Sequence, residues 1–139
     1  MASVVLLTAI TISVATLPPG FMSAVPLYSE EKVAAYYAPG VMESVAERRG
    51  LSLEGYVDGV AIISDDPLWL GREVFIVYDG RAEGPFLVVD IAWKHDLPKL
   101  RSYNEGIEVG YRTAERWGRA GGGRFGPVFV YVVPTESLP

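Results

Sequence analysis

The sequence predicts a small, mainly β protein: a closed barrel of short strands with one or two short helices, preceded by an apolar N-terminal segment. Three observations carry that reading. From Gly55 onward the chain holds short runs rich in Val, Ile, Phe and Tyr, each bounded by Gly, Pro, Asp or Ser. A single helical pattern is inserted late among them, an arrangement that suits a small closed sheet. The 139 residues, half of them apolar and 12% aromatic, give one domain enough hydrophobic mass for a core.

In chain order, residues 1–24 form an uncharged head. Met1 to Ser29 contains no Asp, Glu, Lys or Arg, and the run Ala2 to Leu17 is stopped by Pro18-Pro19-Gly20. That run is marginal for a membrane-spanning helix, which needs roughly 17–25 residues. It suits the apolar region of an export signal, with Ser23-Ala24 as a small-residue cleavage site. Against this, no Lys or Arg precedes the run and Met22 is bulky for its position. Residues 1–24 are therefore read as a signal peptide or a membrane anchor, touching a membrane through residues 2–17. The alternative is a buried core segment, or an arm packed on a partner subunit.

Residues 25–54 read as an extended segment and a short helix. Val25-Pro26-Leu27-Tyr28 is extended, because proline biases its predecessor away from the α region. Ser29 followed by Glu30, Glu31 and Lys32 resembles a helix N-cap with acids in the first turn. Pro39-Gly40 breaks anything that starts there. Gly40 to Gly50 is the best helix in the chain, with Val41, Met42, Val45 and Ala46 on one face, arginines in the last turn and a closing glycine.

Residues 55–134 carry the barrel pattern. Gly55 to Ile63 alternates loosely, and Ser64-Asp65-Asp66-Pro67 is a turn. Glu73 to Tyr78 and Pro85 to Asp90 are apolar runs of similar length joined through Asp79-Gly80 and residues 81–84, which predicts an antiparallel hairpin. Ile107-Glu108-Val109 is a short strand, Tyr111 to Gly118 is one or two helical turns closed by glycine, and Val128 to Val133 is the last strand.

Composition excludes several functions. The net charge of −5 opposes a nucleic-acid module, whose footprint would be basic. There is no cysteine, hence no disulfide, thiolate nucleophile or Cys-based metal site. The single histidine, His95, excludes two- and three-histidine metal sites. No metal and no cofactor is expected. Gly121-Gly122-Gly123 lacks the strand–loop–helix context and lysine of a phosphate loop, and reads as a connector.

Four pieces and a helix, in order, resemble the double-psi β-barrel of rare-lipoprotein-A-like and barwin-like proteins. Ala35-Tyr36-Tyr37 resembles that family's opening strand, and Gly59-Val60-Ala61-Ile62 its second. Pro67 to Val74 resembles its leucine-proline-leucine-glycine turn, and Phe86 to Asp90 the strand that ends in its aspartate. Glu108 to Gly118 is similar to its late helix with a leucine-glycine close. The resemblance spans about residues 34–133 and implies a six-stranded double-psi β-barrel. Tight turns or close passages then fall at Gly59, Gly71, Gly80, Gly84 and Gly110.

The family includes lytic enzymes of the cell wall, and the resemblance places Asp90 at its catalytic aspartate and Glu108 at its second acid. Cleaving a glycan needs an acid near the glycosidic oxygen. Asp90 ends an apolar strand, where desolvation would raise its pKa and let it carry a proton; the bland reading is a cap on the following loop. For Glu108 the bland reading is a helix N-cap or a solvent-facing carboxylate. Asp58 and Glu54 either face the same groove or lie on the surface. His95 either reaches back to Asp90 or is solvated. The family's histidine position holds Ile62 or Ile63, its upstream glutamate has no counterpart, and Ile91 to His95 stands where it has arginine-glycine-proline.

Aromatic rings stack on sugar faces. Tyr36, Tyr37, Tyr56, Trp69, Trp93 and Tyr103 could line a groove or fill the core, and Trp93 and Tyr103 lie in a polar loop. The candidate site is thus Asp90 and Glu108 for catalysis, with Tyr37, Asp58, Trp93, His95 and Tyr103 for binding. The expectation is an exported, periplasmic, extracellular or membrane-anchored protein acting on a cell-wall glycan or other polysaccharide. Two alternatives stand: a non-catalytic glycan-binding relative, and a structural subunit with a homo-oligomeric or particle partner.

Overall fold

A computed structural model describes residues 17–135. These residues form seven strands: β1 (Val25–Pro26), β2 (Lys32–Tyr36), β3 (Gly59–Ile62), β4 (Glu73–Tyr78), β5 (Arg81–Ile91), β6 (Glu105–Val109) and β7 (Phe125–Val132). Among the described residues three short α-helices join them: α1 (Val41–Arg48), α2 (Leu97–Ser102) and α3 (Tyr111–Arg116). The sheet runs β1-β7-β2-β6-β3-β5-β4, and β4 pairs back onto β7. Strands β2 to β7 therefore close into a six-stranded barrel, and β1 is an extra strand on β7. Within the ring, β2–β6 and β3–β5 are parallel and the other pairs antiparallel, as a double-psi arrangement requires.

The barrel begins earlier than the change of pattern at Gly55 suggests. β2 lies inside residues 25–54, the segment read as extended chain and a short helix, and no helix starts at Ser29. There the capping pattern loses to tertiary pairing: Lys32 and Ala34 bond to β7 while Val33 to Tyr36 bond to β6. The hairpin turn is also tighter than expected. Asp79 and Gly80 alone make it, both at positive φ (53° and 75°), and residues 81–84 belong to β5. Of the expected glycine turns, Gly71, Gly80 and Gly84 have positive φ. Gly59 and Gly110 do not; they are needed for space, since a Cβ on Gly110 would lie 2.6 Å from Asp58 Oδ2.

The barrel interior is filled by alternate residues of the strands, among them Val60, Ile62, Val74, Ile76, Phe86, Val88, Ile107 and Val130. Burying side chains of this size contributes about 1.5–3 kcal/mol each. β4 and β5 read as continuous apolar runs because both of their faces are covered. Outside β4, Phe75 and Val77 pack with Tyr131 under Phe21 and Ala24. Outside β5, Leu87 and Val89 receive Met42, Val45 and Ala46 of α1, while Val41 of the same helix is exposed. Trp117, just past α3, closes one barrel end against Tyr78, Phe86 and Phe125.

The signal or anchor reading falls mostly on residues 1–16, outside the described residues. Its last part is described: Phe21, on the leader side of Ser23-Ala24, makes edge-to-face contacts with Phe75 and Tyr131. Among the described residues no helix is long and apolar enough to cross a membrane.

Candidate functional site

Three adjacent strands set the geometry. Ala61 of β3 stands opposite Asp90 of β5 on one side and opposite Glu108 of β6 on the other. Asp90 and Glu108 thus flank one alanine in a row across the sheet, their Cα atoms about 10 Å apart at the usual strand spacing. Ala61 places only a methyl group between them. A cleft of about 480 Å³ opens over this row, with Tyr37, Ile63, Trp93, Lys99 and Arg124 in its walls.

Asp90 accepts hydrogen bonds on both carboxylate oxygens. The Tyr37 hydroxyl donates to Oδ2 at 2.6 Å and the Arg49 guanidinium to Oδ1 at 2.7 Å. Both donors are set by packing rather than by local sequence. Tyr37 follows β2, and its amide donates to the Val109 carbonyl at 2.9 Å. Arg49 sits at the end of α1, whose apolar face rests on Leu87 and Val89, two strand positions that lead up to Asp90. Burial first, and then the bond to Asp90, push the Tyr37 phenol well above the ordinary tyrosine range.

Glu108 is the carboxyl group whose surroundings favour the protonated form. Its pKa is pushed up to about 8, first by burial, then by a hydrogen bond with Glu105 and by the charges of Glu105 and Asp90; Arg124 acts in the opposite sense. Glu105 is itself buried and ion-paired with Arg124 at 2.9 Å. Arg124 in turn lies 3.6 Å from the centre of the Tyr103 ring. Two smaller hollows adjoin the cleft. One, of about 340 Å³, shares Asp90 and Trp93 with it and adds Val45, Arg48 and Arg49. The other, of about 380 Å³, shares Arg124 and is floored by Ala35, Ala38, Gly122 and Gly123.

Of the residues expected from sequence, Asp90, Glu108, Tyr37 and Trp93 meet in the cleft. Asp90 is not a backbone cap, since its partners are Tyr37 and Arg49. Asp58 does not face the groove: it is fully buried and accepts from the Gly59 amide (2.8 Å), Thr113 Oγ1 (2.7 Å) and Arg112 (3.3 Å). Its role is to tie α3 to β3. His95 is exposed on the turn Lys94–Asp96 and is not part of the cleft wall. Tyr103 acts from behind, through Arg124. Glu54 is exposed beside Ser52.

The aromatic groove is smaller than six rings allow. The Tyr36 hydroxyl is engaged by the backbone of Gly121 and Gly122, Tyr56 donates to Glu73, and Trp69 lies under Arg72. Only Tyr37 and the 75%-exposed Trp93 line the cleft. Sequence reasoning missed Arg49, Glu105, Lys99 and Arg124. The one local signal was Glu105-Gly106-Ile107-Glu108, where a glycine inside a strand pattern marks a bulge. Among the described residues, no group of three or more His, Asp or Glu side chains is placed to hold a metal ion. No family model matches the chain, and neither a curated protein nor a solved structure matches it.

Proposed function

We propose that this chain is an exported or membrane-tethered barrel of the rare-lipoprotein-A-like and barwin-like kind, and that its cleft cleaves a cell-wall or surface polysaccharide. The observation that carries the reading is the pair Asp90 and Glu108 across Ala61: one carboxylate that accepts two hydrogen bonds and one carboxyl group whose pKa is pushed up, facing a shared groove. Two carboxyl groups in unlike environments are what glycoside cleavage uses. The sequence expectation made Asp90 the candidate acid and left the part of Glu108 open. Glu108 is the acid and Asp90 the proton acceptor.

In the reaction the glycosidic C–O bond breaks as the Glu108 proton passes to the leaving oxygen. Water, or the 6-hydroxyl of the same sugar, closes on the anomeric carbon and gives up its proton to Asp90, displacing Arg49 or Tyr37 from one oxygen. Trp93 offers a flat, exposed face for a sugar ring beside the cleaved bond. The two adjoining hollows give a polymer room to extend on either side.

The Arg49–Asp90 ion pair favours a second reading. A carboxylate already held at 2.7 Å by a guanidinium suits a site that binds glycan without cleaving it. Incubation of the purified chain with peptidoglycan, intact and stripped of stem peptides, separates the two. Anhydro-sugar ends or new reducing ends, detected by mass spectrometry and abolished in Glu108→Gln and Asp90→Asn, would establish the enzyme. Retention in pull-down without products would establish the binder, and neither result would leave the structural-subunit reading.

A further inference from the structure

The strongest feature outside the Asp90–Ala61–Glu108 row is Glu105, a buried acid on the same strand as Glu108, one of whose carboxylate oxygens has no donor. In a regular strand, residues 105 and 108 point to opposite faces. The β2–β6 pairing is irregular here: Val33 stands opposite Glu105 and Ala34 opposite Ile107, so Gly106 is an extra residue in β6. The bulge resets the alternation and brings Glu105 and Glu108 to the same face of β6. Gly106 is required there, because a Cβ would lie 2.6 Å from the Lys32 side chain.

The two oxygens of Glu105 are unequal. Oε1 accepts from Arg124 Nε at 2.9 Å. Oε2 is buried and receives no N–H or hydroxyl donor from the described residues. A buried carboxylate oxygen without a donor forfeits its hydration with nothing in return. The carboxyl group of Glu108, if protonated, carries the donor that fits.

We infer that Glu105 and Glu108 share one proton, with Glu108 donating to Glu105 Oε2, so that Glu105 is a positioning residue holding an acid proton at the cleft wall. The inference deepens the proposed function and rests on that reading for its consequence, though not for its test. Arg124 is bonded to Glu105 Oε1, and Glu108 is the member of the pair that lines the cleft. The other charged or titratable groups lining the cleft with Glu108 are Asp90 from β5, Tyr37 from the end of β2, Asp96 and Lys99 from the α2 region, and Arg124 itself. Asp90 reinforces the retention of the proton, and Arg124 opposes it.

The test is a carboxyl-detected NMR titration of the isotopically labelled full chain, with no substrate present. In the parent, the Glu108 carboxyl resonance should titrate with a midpoint of about 8. Glu105→Gln removes the charge and should lower that midpoint by at least one pH unit. Arg124→Gln removes the opposing cation and should raise it. A purely structural role for Glu105 would not produce these opposite shifts. A Glu108 midpoint in the ordinary carboxylate range, or one unmoved in folded Glu105→Gln, would overturn the inference. Should Glu105→Gln not fold, the parent decides alone: a hydrogen–deuterium isotope shift on the carboxyl carbons of both Glu105 and Glu108 supports the shared proton, and one confined to Glu108 refutes it. A raised midpoint in a chain that cleaves no glycan would refute the proposed activity and leave the shared proton intact.

Discussion

Tyr37 and Asp90, 53 residues apart in the chain, meet through a 2.6 Å hydrogen bond in which the phenol donates to the carboxylate. The bond joins the end of β2 to the end of β5, two strands that are not neighbours in the sheet. It therefore acts as a clamp across the mouth of the barrel. Tyr37→Phe keeps the ring and removes the donor. We expect it to lower unfolding free energy by about 1–2 kcal/mol, the usual worth of a hydrogen bond to a charged group partly open to solvent. Denaturant unfolding of the parent and the variant measures this directly; an unchanged midpoint would mean that Arg49 alone holds Asp90.

Trp93 carries no comparable structural duty, being 75% exposed. Trp93→Ala should leave stability within about 0.5 kcal/mol of the parent. It should nevertheless weaken retention on insoluble glycan severalfold. Equal retention by both proteins in a pull-down would remove Trp93 from the binding surface.

The protonation of Glu108 makes stability depend on pH with a definite sign. Its ordinary value is 4.5 and its folded value about 8, so between these limits the native state binds more protons than the unfolded chain. Its contribution is thus fully present below about pH 4.5 and is lost as pH rises towards 8. The slope approaches 1.4 kcal/mol per pH unit at most, about one proton's worth. Glu108→Gln, neutral at every pH, should flatten the profile and gain stability relative to the parent at pH 8 and above. Thermal melts across pH 5–9 would show it, and parallel profiles for the two proteins would contradict it.

Asp58 offers a contrast, a carboxylate whose work is structural. Asp58→Ala leaves the Gly59 amide and the Thr113 hydroxyl buried without their acceptor and loosens α3 from β3. A loss of about 2–4 kcal/mol is expected, with aromatic packing around Trp117 disturbed as α3 shifts. Near-ultraviolet circular dichroism and denaturant unfolding together would register both effects; a loss under about 1 kcal/mol would show that water replaces the carboxylate.

Much of the barrel was legible because its signals are local. β4 and β5 announce themselves by continuous β-branched and aromatic runs, and Asp79-Gly80 by the one dipeptide chemistry that fits a two-residue turn at positive φ. Where a local signal competed with a distant partner, the partner won. Ser29-Glu30-Glu31-Lys32 looks like the start of a helix, yet the next residues are held between β6 and β7. Leu97–Ser102 follows a polar loop pattern and is helical, anchored by the single buried side chain Leu97. The site divides the same way. Asp90 was visible as an acid ending an apolar strand, Glu108 through the family resemblance, and Trp93 as an aromatic in a polar loop. Arg49, Arg124 and Glu105 were not, because their importance comes from the register of β6 and the docking of α1, which no stretch of sequence displays alone. Asp58 misled for the opposite reason: a buried acid with three donors looks, in sequence, like any surface carboxylate.

The position of β7 in the ring has a consequence for how the protein is made. That strand is bonded to β4 along one edge and to β2 and β1 along the other, so it closes the barrel and seats Phe21 at once. During synthesis, everything up to Gly123 leaves the ribosome with two raw strand edges and an uncovered apolar interior. Pairings between strands so distant in sequence form slowly. A nascent chain stalled before Phe125 should therefore be sticky, quickly digested by protease and bound by chaperones, whereas one that has emerged through Val132 can shut.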